Sequence, residues 1–126
     1  MFRENHTLMI EAIFRLRQWT QKYLPIESSL IAYDLILLLS IHNYSNGHIT
    51  VKQLFASMPH SASAIRFHYQ RFIAYGWIEN YTDPKDKRIK YVRPTVKFIQ
   101  AINAYTLEME SIIFETSHRT ITEGES

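Results

Sequence analysis

Apolar residues recur at three- and four-residue spacing near the start of the chain. Over residues 4–23 this spacing places them on one face, which is typical of an amphipathic helix. Pro25 ends the segment, because proline cannot continue a helix and restricts the residue before it. The apolar face consists of Met9, Ala12, Ile13, Leu16, Trp19 and Tyr23.

A second segment, residues 29–43, is apolar nearly all round. A helix of this kind is buried on most sides, so we expect it to be the central element of the fold. Either Ser28 or Ser29 can cap its start. Asn46 and Gly47 then predict a turn.

Two short helices follow the turn. Thr50 opens the first as a capping box with Gln53, its apolar face being Leu54, Phe55 and Met58, and Pro59 interrupts it. Ser61 or Ser63 caps the second, over about residues 62–75, and Gly76 ends it. The inner positions of the second helix are Ile65, Tyr69, Phe72 and Ile73. Two short helices joined by a tight turn predict a helix-turn-helix.

The pattern changes after Gly76. Residues 77–81 and 89–93 are rich in aromatic and β-branched types, which favours two strands. Residues 82–88 between them are turn formers and cations, as at the tip of a hairpin.

A last helix is predicted over residues 96–117, after Pro94 and with Thr95 as its cap. Its wide apolar stripe needs a partner, either the N-terminal helix or a second subunit. The stripe consists of Phe98, Ile102, Tyr105, Met109 and Ile112. The whole order predicts a mainly α fold with a small β-hairpin, a winged helix-turn-helix with flanking N- and C-terminal helices.

The stretch from Ile49 to Lys97 resembles the MarR family of transcriptional regulators. The matching segments are ITVKQLFASM, SASAIRFHYQRFIAYGWIE, the hairpin tip DPKDKR, and VRPT before the last helix. The resemblance implies one winged helix-turn-helix domain over residues 1–126. Within it lie N-terminal helices at 1–45, a DNA-binding core at 49–94 with a wing at 82–89, and a C-terminal dimerisation helix at 95–117.

The charge distribution fits a polyanionic partner. The net charge of the chain is +2, but residues 59–97 hold eight Lys or Arg against three acids. Residues 98–126 hold one Arg against five acids. A local excess of cations suits a phosphate backbone, because each neutralised phosphate releases counterions.

Helical projection turns one set of side chains on the second short helix away from its inner stripe. Arg66 and Arg71 can reach guanine or phosphate, and Gln70 can pair with adenine. Phe67 either contacts a thymine methyl or is partly covered by protein. Backbone contacts are expected from Thr50 and Lys52. The predicted reading residues are Ser61, Ser63, Arg66, Phe67, Gln70 and Arg71.

The wing supplies a second group of candidate residues. Arg88 resembles the wing arginine of the family, which enters the minor groove, where the negative potential is deep. Asp86 is expected to hold that arginine, and Lys85 and Lys87 to contact the backbone. The resemblance therefore implies a sequence-specific, duplex-DNA-binding regulator that acts as a homodimer. The alternative is a winged-helix module that binds protein and has little specific affinity for DNA.

Other chemistry has less support. The sequence has no cysteine, and its six histidines lack the spacing of a metal site, so we expect no metal and no cofactor. Nothing supplies a nucleophile with its base, so we expect no enzyme. No 18-residue apolar run or signal peptide is present, and we expect a cytoplasmic protein. Two roles stay open for five aromatic residues: they line a pocket for a small-molecule effector, or they belong to the core and interface. These residues are Trp19, Tyr23, Tyr33, Tyr44 and Trp77.

Overall fold

The computed structural model describes residues 2–44 and 47–125, and this part of the chain forms five helices and three strands. In chain order these are α1 (Phe2–Tyr23), α2 (Leu30–Tyr44), β1 (Ile49–Thr50), α3 (Val51–Ala56), α4 (Ala62–Ala74), β2 (Ile78–Thr82), β3 (Lys90–Pro94) and α5 (Val96–Glu125). The predicted mainly helical, winged helix-turn-helix fold is thereby confirmed.

Two features differ from the sequence prediction. The hairpin of β2 and β3 is joined by β1, giving an antiparallel sheet in the order β1-β3-β2 with Ile49 opposite Val92. The two-residue strand was missed because Thr50 also carries the capping signal of α3. The last helix continues to Glu125, beyond the predicted end at residue 117.

The caps left open by the sequence are resolved. Ser29 caps α2, its Oγ accepting a hydrogen bond from the Ala32 amide at 3.2 Å. Ser61 caps α4. Thr50 and Gln53 form the predicted capping box of α3. Of the predicted Asn46–Gly47 turn, Asn46 lies outside the described residues, and the Gly47 amide donates to the carbonyl of His42 at 3.0 Å.

The chain divides into two compact units. The winged-helix unit comprises Ile26–Gln100, and its core is built around α2, which packs against α4 and β3. Along α2, four side chains are at most 1% exposed. They are Ala32, Leu35, Ile36 and Leu39. This confirms α2 as the buried centre of the unit.

The terminal unit comprises the residues up to Pro25 and those from Ala101 onward. Within it, Arg15 donates to Glu115 at 2.8 Å, an ion pair that joins α1 to α5. The rings of Trp19 and Tyr105 lie 5.9 Å apart between the same helices. Among the described residues, no helix is both long and apolar enough to cross a membrane.

Gly76 ends α4 with a φ of 76°, a left-handed conformation that side chains with a Cβ adopt at a cost. A Cβ at this position would meet no atom within 4 Å, so the cost of a substitution is conformational. We predict that Gly76→Ala lowers the free energy of unfolding by about 1–2 kcal/mol. Urea denaturation monitored by circular dichroism measures the change.

The matched control is Gly47→Ala, at a glycine outside the left-handed region, whose new Cβ would make only ordinary contacts with His42. We expect its free energy of unfolding to stay within about 0.5 kcal/mol of the wild type or to rise slightly. Equal losses in the two variants would contradict a conformational origin for the effect at Gly76.

Candidate nucleic-acid interface

A cleft of about 790 Å³ lies between the helix-turn-helix and the hairpin of the winged-helix unit. Four cationic side chains from three places in the fold line it. Lys52 comes from the start of α3, Arg66 from the middle of α4, and Arg88 and Lys90 from the hairpin. In the part of the chain that the structure describes, no carboxylate lines this cleft. The arrangement favours an anionic ligand.

The floor of the cleft is apolar and is supplied by Val51, Phe55, Ile73 and Ile89. Low-dielectric walls beside charged groups strengthen the field that those charges produce. A phosphate that approaches the cleft therefore meets a concentrated positive potential.

Tyr69 and Asn80 link the two walls of the cleft. The Tyr69 hydroxyl, buried on α4, donates a hydrogen bond to Oδ1 of Asn80 on β2. Burial raises the pKa of Tyr69 to about 12, so the hydroxyl stays protonated and remains a donor at neutral pH. This bond ties α4 to the wing hairpin.

The exposed face of α4 presents most of the predicted reading residues. Ser63, Arg66, Phe67 and Gln70 are exposed, on the side away from buried Ile65, Tyr69 and Phe72. Arg66 and Gln70 also line the cleft. These four side chains form the outward face of α4, which we call the reading face.

Arg71 lies at the edge of this face and is already engaged. Its guanidinium donates to Oε1 of Glu27, in the segment before α2, and the side chain is only partly exposed. The same guanidinium lies 5.5 Å from the ring centroid of Phe67 and 5.8 Å from that of Tyr75. Its charge is therefore largely compensated, unlike that of Arg66 in the cleft.

Two of the predicted DNA-contacting residues, Ser61 and Thr50, cap helices. The Ser61 Oγ accepts from the Ala64 amide at 3.3 Å, and the Thr50 Oγ1 accepts from the Gln53 amide at 3.0 Å. Each hydroxyl keeps its proton to donate. Lys52 is exposed at the rim of the cleft.

The wing, residues 82–89, holds Arg88 as the sequence suggested. Asp86 accepts from Nε and Nη2 of Arg88 at 3.1 and 3.2 Å, while the Arg88 side chain remains 91% exposed. Hydrogen bonds from Arg88 hold the pKa of Asp86 below its usual range. Lys85 and Lys87 are exposed beside them. The pair keeps the guanidinium oriented yet accessible.

Lys90 is a further cation of the cleft that the sequence placed only in a predicted strand. It lines the cleft beside Arg88 because the first residue of β3 lies at the base of the wing. The sequence did contain a signal for this role, because Lys90 lies in the cation-rich stretch 59–97, two residues after Arg88.

Two histidines tie the helix-turn-helix to α2. His60 contacts Oδ2 of Asp34 at 2.8 Å, and Nε2 of His68 lies 3.1 Å from Oγ of Ser29. Together with the Arg71–Glu27 pair, these contacts join α4 and the turn before it to α2 and the residues that precede it. In the described residues, no group of three or more potential metal ligands comes together.

The aromatic residues considered for an effector pocket are divided between the units. The rings of Trp19 and Tyr23 in α1 are tilted to each other, with centroids 4.7 Å apart. Trp77, in the winged-helix unit, lies under the ammonium of Lys97 at 4.2 Å. The side chain of Tyr44 lies outside the described residues. An effector pocket therefore stays a prediction.

The structure is similar to solved transcriptional regulators over most of its length. Tm0710 from Thermotoga maritima aligns over 93% of this chain and 80% of its own, with 18% identity and a TM-score of 0.65. MepR from S. aureus in complex with DNA aligns over 98% of this chain and 82% of its own, with 15% identity and a TM-score of 0.65. A putative MarR-like regulator from Bacillus cereus aligns over 97% of this chain and 90% of its own, with 18% identity and a TM-score of 0.55.

These similarities define the class of fold. The sequence matches no protein-family model and no curated protein. The structural matches nonetheless agree with one another and extend through the helices on both sides of the winged helix-turn-helix. The chain has the winged helix-turn-helix fold of MarR-like transcriptional regulators.

His68 provides a test of the contacts behind the reading face. Its pKa lies below the ordinary 6.5, first because of burial and second because of the Arg71 charge, while Glu27 opposes the shift. We predict that Arg71→Gln raises this pKa without restoring 6.5, since burial remains. Glu27→Gln should lower it further. NMR titration of the His68 ring measures both shifts.

The same pKa fixes the sign of a stability change. Because the unfolded chain binds a proton at His68 more readily, stability contributed here is present above about pH 6.5 and is lost as pH falls below it. His68→Gln should remove this part of the pH dependence. A pKa of His68 that moves in the same direction in both Arg71→Gln and Glu27→Gln would contradict the geometry.

Proposed function

We propose that the chain is a sequence-specific, duplex-DNA-binding transcriptional regulator that acts as a homodimer in the cytoplasm. The cleft carries this proposal, because Lys52, Arg66, Arg88 and Lys90 bring four cations to one surface between α4 and the wing. A cationic, carboxylate-free lining suits phosphates better than a protein partner of mixed charge. The MepR–DNA complex, a protein of the same fold, adds support.

In this proposal the two parts of the surface meet different grooves. The reading face of α4 lies in the major groove, where Arg66 can bind guanine and Gln70 can bind adenine. Arg88, held by Asp86, reaches into the adjacent minor groove. Lys52, Lys85, Lys87 and Lys90 contact phosphates, and Ser61 and Thr50 donate to them from their capping positions.

Dimerisation is supported by apolar side chains that the terminal unit leaves exposed. Met9, Ile10, Ile13 and Phe14 on α1 are each more than half exposed, as are Leu107, Ile113 and Phe114 on α5. A groove of about 630 Å³ between these helices is lined by Met9, Ile13, Met109 and Ile113, among others. Phe98 and Ile102, in the stripe for which the sequence predicted a partner, are already buried within the chain.

A second copy of the chain can cover this surface, because exposed apolar area of this kind is typical of a subunit interface. The two-fold axis of a homodimer would present two reading faces to DNA. The target is then a near-palindromic site with half-sites about one helical turn apart.

Selection of bound duplexes from a random DNA pool at about 150 mM salt tests the function directly. An enriched two-fold motif supports a dimeric, sequence-specific regulator. A pool that stays random would overturn sequence specificity and favour the protein-interaction module.

We predict that Arg88→Ala weakens binding to the selected duplex and lowers the slope of log affinity against log salt by about one. The reason is that the variant has one guanidinium fewer to neutralise a phosphate, so fewer counterions are released on binding. Folding should be unchanged, since the side chain is 91% exposed. Fluorescence anisotropy at several salt concentrations measures the slope. Arg17→Ala, at an exposed arginine of α1, is the control and should keep the wild-type slope. An unaltered slope in Arg88→Ala would remove the wing from the mechanism.

We predict that Ile13→Glu converts the homodimer to a monomer, because a carboxylate in the α1–α5 groove would have to be buried without a partner. Light scattering after size-exclusion chromatography should change from twice the chain mass to 15.0 kDa. Leu30→Glu is the matched control, because Leu30 is also exposed and apolar but lies outside the groove. A wild-type protein that elutes as a monomer would overturn dimerisation.

A further inference from the structure

Phe67 is an exposed aromatic side chain on the reading face of α4. It is 55% exposed, although the ring is large and apolar. On the helix surface it lies between Ser63, one turn before it, and Gln70, one turn after it. Arg71 and His68 contact the ring from the side, and about half of it is left open to a ligand.

The contacts of Phe67 hold its ring in place from the side. The guanidinium carbon of Arg71 lies 5.5 Å from the ring centroid, and the His68 ring meets it edge-on at 5.2 Å. Each of these neighbours is itself bound: Arg71 to Glu27, and His68 to Ser29 at 3.1 Å. A side chain braced in this way loses less rotational freedom when it binds.

The ring offers neither a donor nor an acceptor, so it cannot read a base by hydrogen bonding. In the major groove, the apolar group on a base edge is the C5 methyl of thymine. We infer that Phe67 is a specificity-determining residue that contacts a thymine methyl in each half-site. This inference rests on the proposed DNA-binding function and states which base chemistry one position of the reading face selects.

The surroundings of Phe67 favour DNA as the group that covers it. Arg66 and Gln70 are its neighbours on the same face, and both line the cationic cleft. The pairing of Arg71 with Glu27 leaves the Phe67 end of the face apolar and nearly uncharged. Duplex DNA offers both kinds of group, because a thymine methyl can contact Phe67 while phosphates and polar base edges lie beside Arg66 and Gln70.

Deoxyuridine tests the contact, since it pairs like thymidine and lacks only the C5 methyl. In the duplex selected by the wild type, each thymidine of a half-site is replaced singly by deoxyuridine, and the affinity is measured by anisotropy. We expect one position at which wild-type affinity falls about fourfold, which corresponds to about 0.8 kcal/mol for one buried methyl-sized group. In Phe67→Ala, replacing that thymidine by deoxyuridine should change the affinity by less than about 1.5-fold, which is the scatter expected when two changes do not interact.

Three further variants separate this reading from a general loss of binding. Phe67→Leu keeps an apolar side chain and should retain part of the methyl dependence. Tyr75→Ala removes another exposed aromatic side chain that contacts Arg71, and this variant should retain the full methyl dependence. Arg66→Ala should weaken binding to thymidine and deoxyuridine duplexes by equal factors. Circular dichroism verifies that Phe67→Ala folds, as expected for an exposed position.

The outcomes distinguish this inference from the proposed function. A selected motif without any methyl-dependent position would overturn the role of Phe67 and leave the regulator intact. So would a methyl dependence that Phe67→Ala retains in full. A random pool that yields no motif would overturn both together.

Discussion

The burial of α2 is the constraint on which the winged-helix unit depends. Leu35 and Leu39 are almost inaccessible to solvent, and α4 and β3 pack against this helix. Removing such side chains from water is the largest favourable contribution to folding, because each is worth roughly 1.5–3 kcal/mol. The position of α4 therefore follows from the packing of its inner stripe on α2. The Tyr69–Asn80 hydrogen bond then relates α4 to the wing hairpin. The reading face and the wing keep a fixed relation because the buried side chains of α2 support α4 and a part-buried hydrogen bond joins α4 to the hairpin.

Much of this fold could be predicted from local signals. The capping box at Thr50, the glycine at 76 and the aromatic and β-branched residues beyond it each have a direct physical cause, and each boundary predicted from them lies within a few residues of the observed one. Two features escaped because no local signal indicates them. The strand β1 exists only because Ile49 pairs with Val92, far away in sequence. The last helix continues past residue 117 through a polar stretch with no apolar stripe to signal it.

The candidate site was less predictable than the fold. Helical projection identified exposed positions on α4, yet it could not tell that Arg71 is engaged by Glu27. That pairing depends on a turn in which Glu27 and Ser28 adopt positive φ values of 47° and 63°, which no residue type in the sequence indicates. Lys90 likewise reaches the cleft through the geometry of the hairpin. Charge counting locates the basic segment of the chain, whereas three-dimensional pairing decides which of its cations remain available.

The Arg71–Glu27 pair has a kinetic consequence for the proposed complex. It leaves the reading face with one cationic side chain, Arg66, in the cleft and the apolar ring of Phe67 outside it. Long-range attraction accelerates encounter and is screened by salt, while short-range apolar contact acts only after docking. The residues of the cleft should thus set how fast the protein finds DNA, and Phe67 should set how long it stays at one site. Association rate and residence time are thereby assigned to different side chains, the cations of the cleft and the ring of Phe67, so each can change without the other.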